Sequence, residues 1–171
     1  MQKIPESCIF DKNFNPEKRM ETHRAPWECS FRKEEKSRCM PGAIPKSDTE
    51  YFEVMSLCIL QAGLSWGTVR KIWPKLKKGF DQFDIEILSM KNPAELLKNP
   101  NIIKNPKKVA GLIENAQKFK TIRRNYRSFY HYLETLKTSS DKGAIKRLAN
   151  DFKHLGEYSA EYFLHSIGYW K

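Results

Sequence analysis

The stretch Ser47-Asp48-Thr49-Glu50-Tyr51-Phe52-Glu53-Val54-Met55-Ser56-Leu57-Cys58-Ile59-Leu60-Gln61-Ala62-Gly63-Leu64-Ser65-Trp66 decides the fold. Ser47, with Glu50 three residues on, has the form of a capping box, in which a hydroxyl and a carboxylate satisfy free amides at a helix start. Residues 51–60 are apolar nearly all round, so they predict a buried central helix rather than an amphipathic surface one. Gly63 suits the left-handed cap that ends such a helix. Ser65 then reads as the N-cap of a second helix, with Trp66, Val69, Ile72, Trp73 and Leu76 at helical spacing. Pro74 lies inside that pattern and is expected to bend or end it.

The rest of the chain extends the same reading. Asn92-Pro93 and Asn105-Pro106 each place Asn at a cap and Pro at the first helical position. The helix after Asn105 carries Val109, Leu112, Ile113, Ala116 and Phe119, leaving Lys107, Lys108, Lys118 and Lys120 for solvent or phosphate. Further helices are expected around 126–136, 142–152 and 157–167. No run alternates at period two long enough to form a sheet, so the fold class is all-α. Residues 1–46 lack periodicity and hold Pro5, Pro16, Pro26, Pro41 and Pro45; they read as an irregular extension before a helical domain at 47–171. Phe10, Phe14, Trp27 and Phe31 are its candidates for packing onto that domain.

Composition narrows the function. The 171 residues are 40% hydrophobic and 12% aromatic, enough for a core. No stretch approaches the roughly 18 apolar residues of a membrane span, and residues 1–6 hold no signal core. A soluble, monomeric protein is expected, cytoplasmic and nucleoid-associated, or nuclear in a eukaryote. The net charge of +11 is concentrated: residues 67–137 carry sixteen Lys and Arg against six Asp and Glu, whereas residues 1–66 carry ten of each. One basic face suits a polyanion, nucleic acid above all. A lysine-rich solvated surface is the bland alternative.

A hairpin adds to the case. Phe152-Lys153-His154-Leu155-Gly156-Glu157-Tyr158-Ser159-Ala160 has the outline of helix, tight Leu-Gly turn, helix. In a helix-hairpin-helix element of this kind, glycine lets backbone approach phosphate and the second helix points its N-terminal amides at the anion. Such an element anchors DNA without reading its sequence.

Phe52-Glu53 followed by Gln61-Ala62-Gly63-Leu64-Ser65-Trp66 closely resembles the DNA-3-methyladenine glycosylase I family, within the helix-hairpin-helix DNA glycosylases. Phe80-Asp81-Gln82-Phe83-Asp84, the segment 101–116 and the hairpin with its following helix keep the family's order, so the resemblance spans roughly 47–168. It implies a monofunctional glycosylase of base excision repair that flips an alkylated or otherwise damaged purine from double-stranded DNA and hydrolyses its glycosidic bond. Trp66 matches the family tryptophan that stacks on the base, an indole face suiting a cationic purine. Phe52, Glu53 and Cys58 fall around the same pocket. Gln61, Gly63 and Leu64 match the turn that fills the gap left by the base. Lys153, His154, Leu155, Gly156, Tyr158 and Ser159 fall in the DNA-binding hairpin.

The chain also departs from that pattern. The family glutamate that hydrogen-bonds the base aligns with Cys58, an uncharged and poor hydrogen-bonding thiol, so either base preference differs or catalysis is lost. A catalytically silent DNA-binding protein is therefore the alternative function, with a helical protein-interaction module behind it. Tyr158 stands where lyase-competent relatives carry a Schiff-base lysine, so no strand cleavage is expected. No cofactor is expected. The family's zinc site finds no Cys in the C-terminal tail here; Cys8, His23, Cys29 and Cys39 offer ligand types that zinc accepts, but their spacing matches no strong pattern.

Overall fold

A computed structural model describes residues 42–169, and of Trp66 the backbone alone. These residues form α1 (Asp48–Gln61), α2 (Trp66–Gly79), a 3₁₀ turn (Asp81–Phe83), α3 (Ile85–Leu88), α4 (Pro93–Leu96), α5 (Pro106–Tyr126), α6 (Phe129–Leu136), α7 (Asp141–Asp151) and α8 (Glu157–Ser166). There is no strand among them. No described helix is long and apolar enough to cross a membrane.

Helix α1 is the axis of the core, as its unbroken apolar run requires. Tyr51, Phe52 and every residue from Val54 to Leu60 are buried, and α8, α5, α2 and α6 pack around it. Phe119 of α5 lies at the centre of an aromatic cluster, 4.3 Å from Phe129, 5.2 Å from Phe52 and 5.5 Å from Phe152 between ring centroids. Aromatic pairs at such spacings add about 0.5–1.5 kcal/mol each beyond area burial.

The caps stand where the sequence places them. Ser47 Oγ accepts from the Glu50 amide and Ser65 Oγ from the Thr68 amide. Asn92 Oδ1 accepts from Ala94 and Asn105 Oδ1 from Lys108. Glu50 completes its box one residue early, accepting from the Lys46 amide. Asn99 does something else: it accepts from the Asn101 amide and donates to the Gly79 carbonyl, tying a loop to the end of α2.

Three boundaries depart from expectation. Pro74 does not end α2, which continues to Gly79. An interior proline costs about 3 kcal/mol, but Trp73 and Leu76 on either side are both buried and hold the helix on the core. Tyr126 closes α5 instead of opening α6, because Arg127 turns to φ 70° and Ser128 caps the new helix. The segment 80–84, read only as a motif, holds a left-handed turn through Asp81, Gln82 and Phe83, and the short α3 that follows was not expected. Phe83 is fully buried there, its ring stacked 5.0 Å from Trp73.

Candidate functional site

The turn between α1 and α2 is braced from within. Gly63 has φ 88° with nothing within 4 Å of where a Cβ would sit, so conformation rather than space requires glycine. The Leu64 amide donates to the Gln61 carbonyl at 2.7 Å, and Gln61 Nε2 donates back to the Leu64 carbonyl at 2.9 Å. Leu64 is half-buried against the core. Trp66 is the first residue of α2; its side chain lies outside the described residues.

Lys108 closes this turn from the side. Its Nζ donates to the Ala62 carbonyl at 2.6 Å and reaches the Leu60 carbonyl at 3.4 Å, a cation on the C-terminal carbonyls of α1. Partial burial lowers its pKa. Lys108 is therefore a brace and not the free phosphate ligand expected from sequence. Lys118 and Lys120 are likewise engaged, with Asp151 and Glu86. The basic middle of the chain is thus partly neutralised by its own acids and carbonyls.

Two residues that the resemblance sets at the base pocket are engaged inside the fold. Phe52 has no exposed surface and sits edge-on to Phe83 and Phe119 in the core. Glu53 Oε1 accepts from Trp73 Nε1 at 3.1 Å and pairs with Lys77 at 3.0 Å, fastening α1 to α2. Cys58 is buried in α1, and desolvation pushes its thiol well above the ordinary range, so it is neutral. A roughly 540 Å³ cleft between Ser89–Met90 and the last turns of α5 includes none of these residues.

The hairpin between α7 and α8 is held by α5. Asn115 is buried, and its amide grips the Lys153 backbone twice: Nδ2 donates to the carbonyl at 3.0 Å and Oδ1 accepts from the amide at 2.8 Å. His154, at φ 59°, puts Nε2 3.0 Å from the Lys107 carbonyl. Leu155, which the resemblance sets in the DNA-binding hairpin, is buried and supports the loop from beneath. Lys153, His154, Gly156 and Tyr158 are exposed and Ser159 is half-buried. Gly156 is the N-cap of α8 at φ −67°, with open space around its Cα; its value is absence of bulk, not a left-handed turn. Every other α-helix described here has a side chain capping its N-terminus, whereas α8 has none. Its first amides are left for an outside acceptor.

The first turn of α5 connects the two elements. Lys107 receives the hairpin through its carbonyl, and Lys108 grips the α1–α2 turn through its ammonium. The expected gap-filling turn and the expected phosphate anchor are thereby attached to consecutive residues. Sequence reading matched Asn115 only as part of the family's Asn-Ala segment and did not single out Gly111; that both seat the hairpin was not read, and a mid-helix Gly on the apolar side of α5 was the available signal. Cys8, His23, Cys29 and Cys39 lie outside the described residues, and no metal-ligating cluster occurs among the described ones. His165 is buried in α8, with its carbonyl accepting from Gly42 at 2.9 Å.

This all-helical arrangement is the fold of the helical DNA glycosylases. A crystal structure of 3-methyladenine DNA glycosylase I is 25% identical with a TM-score of 0.63, covering 75% of this chain and 83% of that one. The Staphylococcus aureus 3-methyladenine DNA glycosylase I is 24% identical with a TM-score of 0.65, covering 75% and 80%. A solution structure of 3-methyladenine DNA glycosylase I is 23% identical with a TM-score of 0.59, covering 75% and 81%. Residues 41–162 match the methyladenine glycosylase family. The chain belongs to that family, and by membership is a DNA glycosylase of DNA repair.

Proposed function

We propose that this protein hydrolyses the N-glycosidic bond of alkylated purines of the 3-methyladenine kind, after flipping them from double-stranded DNA, and leaves the backbone uncut. One observation carries the reading: the uncapped N-terminus of α8 and the braced Gln61–Leu64 turn are attached to consecutive residues of α5. An anchor and a wedge on one rigid helix suit the work of gripping a backbone while displacing one nucleotide.

The hairpin residues Lys153, Gly156 and Ser159 hold phosphates with backbone amides and one cation, independently of sequence. Leu64 and Gln61 fill the gap, and the reciprocal hydrogen bonds of their turn keep it from collapsing as the base leaves. Extrusion costs a few kcal/mol, least for a poorly paired lesion. Trp66 stacks on the cationic purine, whose charge has already weakened its bond to the sugar. Preferential binding of the separating base then suffices, with no side chain forming a covalent bond. Tyr158 offers no amine for a Schiff base, so strand scission is not part of the reaction. No step uses a metal or cofactor.

The buried, neutral Cys58 favours a second reading, in which the protein binds lesions without excising them, because no carboxylate stands at that position. Incubation with methylated duplex DNA, followed by chromatography of the released base, separates the two. Excision predicts free 3-methyladenine, lost at least about tenfold in Trp66→Ala. Binding without release from any of a panel of alkylated duplexes overturns it in favour of the silent reading, for which Cys58→Glu is the gain-of-function test.

A further inference from the structure

We propose that His154 is a phosphate-binding residue whose two ring nitrogens divide the work: Nε2 holds the hairpin to α5, and Nδ1 takes up a proton as the DNA backbone arrives. The inference rests on the duplex-binding reading above.

A backbone carbonyl only accepts, so the 3.0 Å contact with Lys107 requires the neutral ring to carry its proton on Nε2. Nδ1 then holds a lone pair, and it has no partner among the described residues. The ring is exposed, two residues before the open first turn of α8. A lone pair repels a phosphate; a protonated Nδ1 donates a charge-assisted hydrogen bond to it. Histidine is the side chain for which an arriving anion can drive this change near neutral pH.

The seat of the ring is built for it. A Cβ on Gly111 would overlap the imidazole, lying 3.1 Å from Nε2 and closer still to Cδ2. A glycine inside α5, where it costs roughly 1 kcal/mol against alanine, thus makes room for the ring. His154 itself stays at a left-handed φ of 59°, with the preceding Lys153 clamped by Asn115. The charged groups on the surrounding elements are Lys107 and Glu114 of α5, Asp151 of α7 with its partners Lys118 and Arg147, Lys153 in the loop and Glu157 of α8. Glu114 pairs with Lys153 at 3.8 Å, and Asp151 is shared by Lys118, Arg147 and the Tyr132 hydroxyl. Glu114 and Asp151 are thus already engaged, and Glu157 is exposed at the start of α8; a phosphate arriving at Nδ1 stabilises the imidazolium, whose added proton comes from solvent.

The test is binding to an undamaged duplex between pH 6 and 8 at several salt concentrations. Wild-type affinity is expected to fall about fivefold to tenfold across that range. Its logarithmic salt slope should be steeper by about 0.9 at pH 6 than at pH 8, the increment of one more phosphate contact. His154→Gln keeps a donor for the Lys107 carbonyl but cannot be protonated, so it should match wild type at pH 8 and lose both dependences. Gly111→Ala unseats the ring without altering it and should lose them too, with an unchanged helical spectrum showing that it is folded. His154→Gln that retains the wild-type pH profile and slope change overturns the proposal. Wild-type binding that is independent of pH overturns it as well and leaves duplex binding intact. Absence of binding at any pH or salt overturns the duplex-binding reading itself.

Discussion

Asn115 shows how much one side chain can organise. Its two hydrogen bonds to the Lys153 backbone cross 38 positions of sequence, and it is buried while making them. Asn115→Ala leaves a partly buried amide and carbonyl of Lys153 without partners, so it should lower stability by about 1–2 kcal/mol, read as a shifted urea midpoint. Lys153→Ala is the opposite case. Its partner Glu114 is 3.8 Å away at the surface, so stability should change by less than about 0.5 kcal/mol while DNA affinity falls. Phe52 and Glu53, which the resemblance sets at the pocket, are instructive at this scale. Phe52 lies in a helix whose own composition calls for burial on all sides, and it is buried as that pattern requires. Glu53 was legible as an acid near the pocket, but its Trp73 partner is set by how two helices cross, which no local spacing encodes.

At the scale of elements, two glycines should answer to substitution differently. Gly63→Ala forces a side chain into φ 88° and should cost about 1–2 kcal/mol by denaturation, although the space is empty. Gly156→Ala meets neither strain nor a neighbour, so it should cost below about 1 kcal/mol while weakening DNA binding by blocking close approach to phosphate. Helix starts were the most legible part of this protein, because Ser47, Ser65, Asn92 and Asn105 each act on amides two or three residues away. The segment 81–88 was illegible for the converse reason. Its left-handed turn uses Asp81, Gln82 and Phe83, none of them glycine, and is stabilised by burying Phe83 against Trp73. The hairpin was recognisable as helix-turn-helix, but Gly111 and Asn115, which give it a fixed seat, belong to another helix about 40 residues earlier.

The molecule as a whole carries phenols that resist ionisation. Burial raises Tyr51 and Tyr132 beyond the usual range, Tyr132 further through Asp151, and it pushes Tyr169 up to about 12. A folded pKa above the unfolded value of about 10 means that the native state holds more protons between the two. That contribution to stability is complete below pH 10 and is lost as pH rises through the folded values. Denaturation midpoints should therefore lose this contribution progressively above pH 10. Ultraviolet titration should show a late group of phenolates appearing together with unfolding. A titration in which all seven tyrosines ionise before helicity is lost would contradict the burial described here.

The adjacency of Lys107 and Lys108 has a consequence for how such an enzyme could change over time. Successive residues on an α-helix differ by about 100° in direction, so these two reach out to separate parts of the structure from one level of the shaft. The offset between the hairpin and the α1–α2 turn is thereby gauged by a single peptide unit. Lengthening or shortening the loops on either side leaves that gauge untouched, whereas inserting one residue between the pair would swing one hold away from the other. Residues elsewhere in the domain can change while the spacing of hairpin and turn stays constant.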